Sequence, residues 1–149
     1  MTQTLKGGCQ CGAVRFEVTG PLTHTSICHC RMCQKAFGNA IAPLTSVRGT
    51  DFRWTRAEPA HFQSSNFVRR GFCPACGTPL SYEAPDGMSV ATATFDHPET
   101  LMPTIQWGVE ARLPWMDVIN DLPRKTSLED AQDAPFLLDL VSYQYPDED

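Results

Sequence analysis

The sequence predicts a mainly β protein of antiparallel sheets with little helix, in which clustered cysteines pin the sheets together. Two features predict the sheets: short stretches of alternating apolar and polar residues, and frequent interruption by 12 prolines and 10 glycines. The third feature is a set of seven cysteines grouped in pairs and one triplet. A chain of 149 residues has the size of one domain.

The clearest predicted strand runs from Val14 to Val18. Val14, Phe16 and Val18 alternate with charged residues, which is the period of a strand with one buried face. The same reasoning predicts strands in four further ranges: 52–55, 67–72, 88–94 and 105–107. Strands this short, separated by turn-forming residues, favour antiparallel sheets.

Helical signal is confined to two places. One or two turns are predicted after Cys33, ending at Gly38. After Pro135, the spacing of Leu137, Leu140 and Val141 fits a helix, and the same segment could equally form a strand. The polar ranges 124–134 and 146–149 are expected to be mobile.

The charge distribution excludes some classes of partner. The net charge is −5, divided into +2 for residues 1–109 and −7 for residues 110–149. Because there is no basic patch and no long apolar run, we expect no nucleic acid partner and no membrane span. The first residues lack a secretory pattern, so we expect a cytoplasmic, reducing location.

The cysteines indicate metal binding rather than disulfides. Their number is odd, and a Cys-x-Cys pair is too close in sequence to bridge without strain. Inert buried thiols would explain two or three cysteines, but not this spacing. Cys9 and Cys11 can face one ion from an extended stretch, and Cys73-Pro74-Ala75-Cys76-Gly77 has the pattern of a zinc knuckle. Two such pairs make one tetrahedral structural site.

The remaining triplet is Cys28, Cys30 and Cys33, which can bring three sulfurs to one metal. The local sequence leaves the fourth position unfilled, which is typical of catalytic zinc rather than structural zinc. His29 should point away from a metal shared by its neighbours, whereas His24, His61 or His97 could close the site. An alternative pairs Cys9 and Cys11 with the triplet, which would leave two thiols over.

Three segments together resemble the glutathione-dependent formaldehyde-activating enzyme family, whose domain is shared with centromere protein V. They are Gly8-Cys9-Gln10-Cys11-Gly12-Ala13-Val14, Cys28-His29-Cys30-Arg31-Met32-Cys33-Gln34-Lys35 and Gly71-Phe72-Cys73-Pro74-Ala75-Cys76-Gly77-Thr78-Pro79-Leu80. The resemblance extends over about residues 5–123, because 113–115 and 121–123 resemble the closing segment of the family. We therefore expect a zinc domain at 1–123, with an acidic extension at 124–149 packed on it or trailing from it.

The resemblance implies a β-tent fold with two zinc ions. It assigns Cys9, Cys11, Cys73 and Cys76 to a structural ion, and Cys28, Cys30 and Cys33 to a reactive one. It also implies a carbon–sulfur lyase that resembles S-(hydroxymethyl)glutathione synthase, with glutathione as co-substrate and a small aldehyde such as formaldehyde as its partner.

The chemistry suggests roles for three neighbours of the triplet. A thiol held by zinc is deprotonated and can attack an aldehyde, and the alkoxide formed needs a proton or a positive neighbour. His29 is a candidate for proton transfer, and Arg31 or Lys35 for holding a substrate carboxylate, with Arg69 and Arg70 as further candidates. The alternatives are a non-catalytic zinc-stabilised binding module or glutathione carrier, and a metal or redox sensor.

Overall fold

A computed structural model describes residues 3–147, which form two β-sheets joined by turns and short helices. The smaller sheet has the strand order β1-β2-β5, and the larger has the order β10-β3-β4-β9-β8-β7-β6. In chain order the strands are β1 Leu5–Gly8, β2 Arg15–Val18, β3 Thr25–Cys28, β4 Ala42–Val47, β5 Phe52–Trp54, β6 Ala60–Gln63, β7 Arg69–Phe72, β8 Pro79–Ala84, β9 Gly87–Ala91 and β10 Ile105–Trp107.

The pairing confirms the predicted fold class. Every neighbouring pair of strands is antiparallel except β10 and β3, which run parallel at one edge of the larger sheet. Four of the predicted strands correspond to β2, β5, β7 and β10, with later starts for β2 and β7. The fifth is shorter than predicted, because β9 ends at Ala91 and Thr92–Thr94 is a 3-10 turn.

The main core lies between the two sheets. Phe16 and Val18 of β2 pack with Val47 of β4 and Val90 of β9, because alternate residues of each strand point to the same side. Phe16 lies at the centre, with its ring centroid 5.0 Å from that of Phe95. The apolar residues that alternate in the sequence are thus the ones removed from water, and their burial stabilises the fold.

Gly7 of β1 lies directly against the segment that follows β9. It forms an isolated antiparallel bridge with Phe95, which follows β9. A Cβ atom at Gly7 would lie 2.3 Å from the carbonyl oxygen of Thr94 and 2.4 Å from Cζ of Phe16. A side chain would not fit at position 7, so glycine lets β1 pack against residues 94 and 95.

Two α-helices are present among residues 3–147. The helix α1, Arg31–Phe37, ends at Gly38 as predicted, since Gly38 adopts the left-handed conformation with φ of 58°. The helix α2, Ser127–Asp133, falls in the range expected to be mobile, and a capping box between Thr126 and Glu129 starts it. The 3-10 segments are Gly49–Asp51, Thr92–Thr94, Pro98–Thr100, Val109–Ala111, Pro114–Asp121 and Pro135–Asp139.

The C-terminal segment is only partly helical. The 3-10 turn Pro135–Asp139 includes Leu137, whereas Leu140 and Val141 lie outside regular structure. Of the second range expected to be mobile, residues 148 and 149 lie outside the described residues. Across residues 3–147, no helix combines the length and the apolar character that crossing a membrane requires.

Candidate metal centres

The first candidate centre joins the turn after β1 to the turn between β7 and β8. Its members are Cys9, Cys11, Cys73 and Cys76, and their Sγ atoms all lie within 4.8 Å of one another. The Sγ atoms of Cys9 and Cys11 are 3.6 Å apart, and those of Cys11 and Cys73 are 3.9 Å apart. A tetrahedral zinc with Zn–S bonds of about 2.3 Å needs sulfurs about 3.8 Å apart, so these thiols fit zinc.

Glycines and local hydrogen bonds shape both turns. Gly12 and Gly77 have φ of 79° and 82°, which L side chains rarely adopt. The N–H of Gly77 donates to the carbonyl oxygen of Cys73 at 2.8 Å, which closes the knuckle. Cys9 and Cys73 are buried in a small core with Val14 and Leu80. The cluster therefore belongs to the packed structure of the domain.

Burial and hydrogen bonding move the pKa values of this cluster in opposite directions. Burial raises the pKa of Cys73 above its ordinary value. Burial acts the same way on Cys76, but the hydroxyl of Thr78, 3.2 Å from the Cys76 sulfur, and further hydrogen bonds lower its pKa to about 6. A thiol that ionises this readily suits a metal ligand, which must be deprotonated.

The second candidate centre is formed by Cys28, Cys30 and Cys33. Cys28 ends β3, Cys30 caps the N-terminus of α1, and Cys33 lies in its first turn. Their Sγ atoms lie within 4.8 Å of one another, and no fourth His, Cys, Asp or Glu among residues 3–147 joins the group. His24, His61 and His97 therefore do not close it, and the triplet remains separate from Cys9 and Cys11.

Neighbouring segments hold this cysteine loop in place. Gly108, just after β10, lies so close that a Cβ atom there would be 2.9 Å from the backbone nitrogen of Cys30. The amide of Gln34 donates to the carbonyl oxygens of His29 at 2.8 Å and Ala111 at 3.0 Å. The loop is therefore packed against residues 108–111 and hydrogen-bonded to α1.

The three thiols of the loop differ in acidity. Burial raises the pKa of Cys28 to about 12 and also raises that of Cys33, where Arg70 opposes it. Burial acts on Cys30 too, but the backbone N–H of Cys33 donates to its sulfur, and the pKa of Cys30 is lowered. Metal binding to these thiols must release protons, so its strength will depend on pH.

The triplet lines a cavity of about 800 Å³, which is large enough for a small-molecule ligand. The cavity lies against the larger sheet, and serine hydroxyls from several strands and loops face it together with apolar side chains. Its charged members are Arg48, Arg70 and Asp86. The second centre is thus adjacent to open space, which a substrate could occupy.

Arg70 connects this cavity to the cysteine loop. It lies on β7, only 7% exposed, and its Nη2 donates to the Sγ of Cys33 at 3.4 Å. Its Nε donates to the hydroxyl of Ser64 at 3.0 Å, and its guanidinium stacks on the ring of Tyr82 at 5.0 Å. By contrast, Arg69 is exposed and donates to Glu83. Spacing along the chain could not single out Arg70, because 37 positions separate it from Cys33.

The other predicted site residues lie around the cavity rather than in it. His29 is 1% exposed, and its Nε2 lies 2.8 Å from Oε1 of Gln106. Arg31 and Lys35 do not line the cavity, but they line a second cleft of about 430 Å³. That cleft adjoins the cavity, since Met32, Ser64 and Arg70 line both. The roles suggested for His29, Arg31 and Lys35 stay predictions.

The two sheets, a closed four-cysteine cluster and an open three-cysteine cluster define a β protein with two sites that could each hold a metal ion. The model of the family described as glutathione-dependent formaldehyde-activating enzyme matches residues 4–110, and the chain belongs to this family. This confirms the resemblance carried by the cysteine motifs. The matched range stops before residues 113–123, which we had included in the resemblance.

One solved structure supports the same fold. A crystal structure of a Rhodobacter sphaeroides protein is 25% identical to this chain, with a TM-score of 0.55. The similarity covers 68% of this chain and 98% of that one. No curated protein matches the chain. The predicted division at residues 123 and 124 stays a prediction.

Proposed function

We propose that the chain is a zinc-dependent carbon–sulfur lyase resembling S-(hydroxymethyl)glutathione synthase. It would join or release glutathione, or a similar thiol, and a small aldehyde such as formaldehyde. One observation carries the proposal: the cluster of Cys28, Cys30 and Cys33 has three ligands among residues 3–147 and lines the 800 Å³ cavity. Membership of the formaldehyde-activating family supports the same activity.

The ligand set suits a zinc ion that accepts a substrate. Zinc prefers four ligands, and a site with three protein ligands leaves one position for an incoming group. Zinc bound there would keep an incoming thiol deprotonated at neutral pH. Cys9, Cys11, Cys73 and Cys76 would hold a second zinc that stabilises the fold, because they complete a tetrahedron by themselves.

The reaction is an addition that needs no oxidant. The sulfur of the thiolate forms a bond to the aldehyde carbon, and the π electrons of the carbonyl move to its oxygen. A proton from water completes the hydroxyl group, and the reverse reaction breaks the same carbon–sulfur bond. The protein binds and orients both reactants in the cavity, which raises their effective concentration.

Arg31 and Lys35 remain candidates for binding the carboxylates of the thiol. Both line the 430 Å³ cleft that adjoins the cavity, so a long substrate could reach from the cysteines to them. His29 is buried and does not line the cavity, so proton transfer through it would need its contact with Gln106 to change.

The substrates would be small molecules, and we place the protein in the cytoplasm. All seven cysteines are free thiols, which suits a reducing compartment.

Exchange spectroscopy tests the activity, because the uncatalysed reaction reaches equilibrium unaided. We expect the zinc-loaded protein to speed the exchange of isotopically labelled formaldehyde with its glutathione adduct. Cys30→Ser should remove the acceleration, because it takes one ligand from the three-cysteine cluster. Ser142→Ala is the matched control, since Ser142 is exposed and does not line the cavity.

Two results would contradict the proposal. One is a wild-type protein that holds two zinc ions and does not change the exchange rate. The other is equal acceleration by Cys30→Ser. If glutathione binds without any acceleration, the alternative of a zinc-stabilised binding module or carrier is correct.

A further inference from the structure

Arg70 has more hydrogen-bond donors than its surroundings use. A guanidinium carries five N–H groups, and burying one without an acceptor costs free energy. In Arg70, Nε donates to Ser64 and Nη2 donates to Cys33, whereas the buried Nη1 has no acceptor among residues 3–147. The stack on Tyr82 and the bond to Ser64 fix the plane of the guanidinium, so the spare donors are held beside the sulfur cluster.

The position of Arg70 limits what these donors can bind. Its Nη2 lies 3.4 Å from the sulfur of Cys33, and the residue lines the cavity together with all three cysteines. The donors are thus next to the sulfurs rather than at the far parts of the cavity. An acceptor that binds these donors from the cavity would lie next to the sulfurs, where the aldehyde would react. A buried fork of N–H groups favours an oxygen that carries negative charge.

We propose that Arg70 is a catalytic residue that donates hydrogen bonds to the aldehyde oxygen as the carbon–sulfur bond forms. This inference rests on the proposed function. When the thiolate sulfur adds to the carbonyl carbon, the π electron pair becomes a lone pair on oxygen, and the new negative charge lies next to the cationic guanidinium. Water then supplies the proton, and Arg70 keeps all of its own protons throughout. Fixed donors placed where charge develops stabilise the transition state more than the ground state.

Binding of a stable mimic tests the contact without any turnover. Thioacetate has, on the carbon bonded to sulfur, an oxygen that shares the negative charge, whereas ethanethiol has two hydrogens in the place of that oxygen. Affinities for both are measured on cobalt-substituted protein through the absorption changes that thiols cause. We expect Arg70→Gln to reduce the preference for thioacetate over ethanethiol at least tenfold. Arg53→Gln is the control, because Arg53 is exposed, pairs with Glu17 and lines neither cavity nor cleft.

Kinetics of the zinc-loaded protein provide the second test. Removing a transition-state donor lowers kcat by about a hundredfold or more, so we expect this loss in Arg70→Gln with little change in KM for the thiol. Arg70→Lys keeps the positive charge but not the paired N–H groups of the guanidinium, so its kcat should lie between those of Arg70→Gln and the wild type. Zinc content is measured on every variant, and two ions per chain are expected in each.

Three results overturn the contact between Arg70 and the aldehyde oxygen, and a fourth overturns the proposed function alone. If Arg70→Gln and Arg70→Lys both hold only one zinc ion, Arg70 is needed for metal binding rather than for the reaction. If the loss is confined to KM for glutathione, Arg70 binds a substrate carboxylate instead. An unchanged preference for thioacetate in Arg70→Gln excludes the oxygen contact. If the wild type prefers thioacetate in the expected way but does not accelerate exchange, the proposed function fails while the Arg70 contact stands.

Discussion

Replacing Tyr145 by alanine should release the C-terminal segment from the turn that carries Cys9 and Cys11. The backbone N–H of Tyr145 donates to the carbonyl oxygen of Gln10 at 2.7 Å. Its ring lies against Gly12, where a Cβ atom would be 2.3 Å from Cδ2 of the ring. The absence of a side chain at Gly12 thus lets Tyr145 pack on the turn that carries Cys9 and Cys11.

The size of the effect follows from the contacts that alanine removes. The hydroxyl of Tyr145 accepts a hydrogen bond from Arg56 at 2.6 Å, and the guanidinium groups of Arg56 and Arg15 lie 4.6 and 5.0 Å from the ring centroid. A net hydrogen bond contributes about 1 kcal/mol, and each cation–π contact, taken at the low end of its range, about 0.5 kcal/mol. The total is about 2 kcal/mol, which corresponds to about a thirtyfold change in the detachment equilibrium.

Hydrogen exchange measures this equilibrium directly. Alanine keeps the backbone N–H at position 145, so its protection should fall about thirtyfold, and a chelator should remove metal from the four-cysteine site faster. Tyr143→Ala is the matched control, because Tyr143 is 90% exposed and two positions away. Equal protection in the Tyr145→Ala variant and the wild type would refute the reasoning.

Three further predictions concern the metal sites and the stability of the fold. In Cys30→Ser, elemental analysis should find that the metal content falls from two ions toward one, with the fold retained. Cys76→Ser should instead unfold or aggregate, because it removes a ligand from the site that joins two distant turns. Asp96→Asn should lower the free energy of unfolding by about 3–5 kcal/mol, measured with denaturant, because it removes the buried carboxylate bound by Arg15 at 2.7 Å. Burial raises the pKa of Glu83, but hydrogen bonds outweigh burial and lower the pKa below 4.5. The ionised carboxylate therefore stabilises the wild type above pH 4.5, and Glu83→Gln should be less stable there. The difference in free energy of unfolding should shrink when denaturation is repeated at lower pH.

Controls for these predictions are available in the same chain. For Asp96→Asn, the control is Glu17→Gln, since Glu17 pairs with the exposed Arg53 and should contribute less than about 1 kcal/mol. A similar loss in both variants would contradict the expected effect of burial. A stability difference between Glu83→Gln and the wild type that grows toward acid pH would contradict the sign of the Glu83 shift. Loss of both metals from Cys30→Ser would show that the two sites are not independent.

Local patterns in the sequence predicted some strands and missed others for physical reasons. The alternation in β2 is visible because one face of the strand is buried and the other carries polar groups. The strand β4 was missed, although it lies in the middle of the larger sheet, since it contains Pro43, and proline cannot donate to a neighbouring strand. The helix α2 was missed because its short polar stretch resembles a loop, and only the capping box marks its start.

The sequence by itself determined which cysteines work together within each motif, because ligands two or three positions apart are brought together by the local conformation of one turn. It favoured a complete set of four and an incomplete set of three, but it left open a grouping of Cys9 and Cys11 with the triplet, which the structure excludes. Only the tertiary structure decided what surrounds the incomplete set: α1 directs Arg31 and Lys35 to a neighbouring cleft, and β7 brings Arg70 to Cys33. Such contacts depend on which distant strands become neighbours, and pairing across the sheet is set by the packing of the whole core rather than by any short stretch of residues.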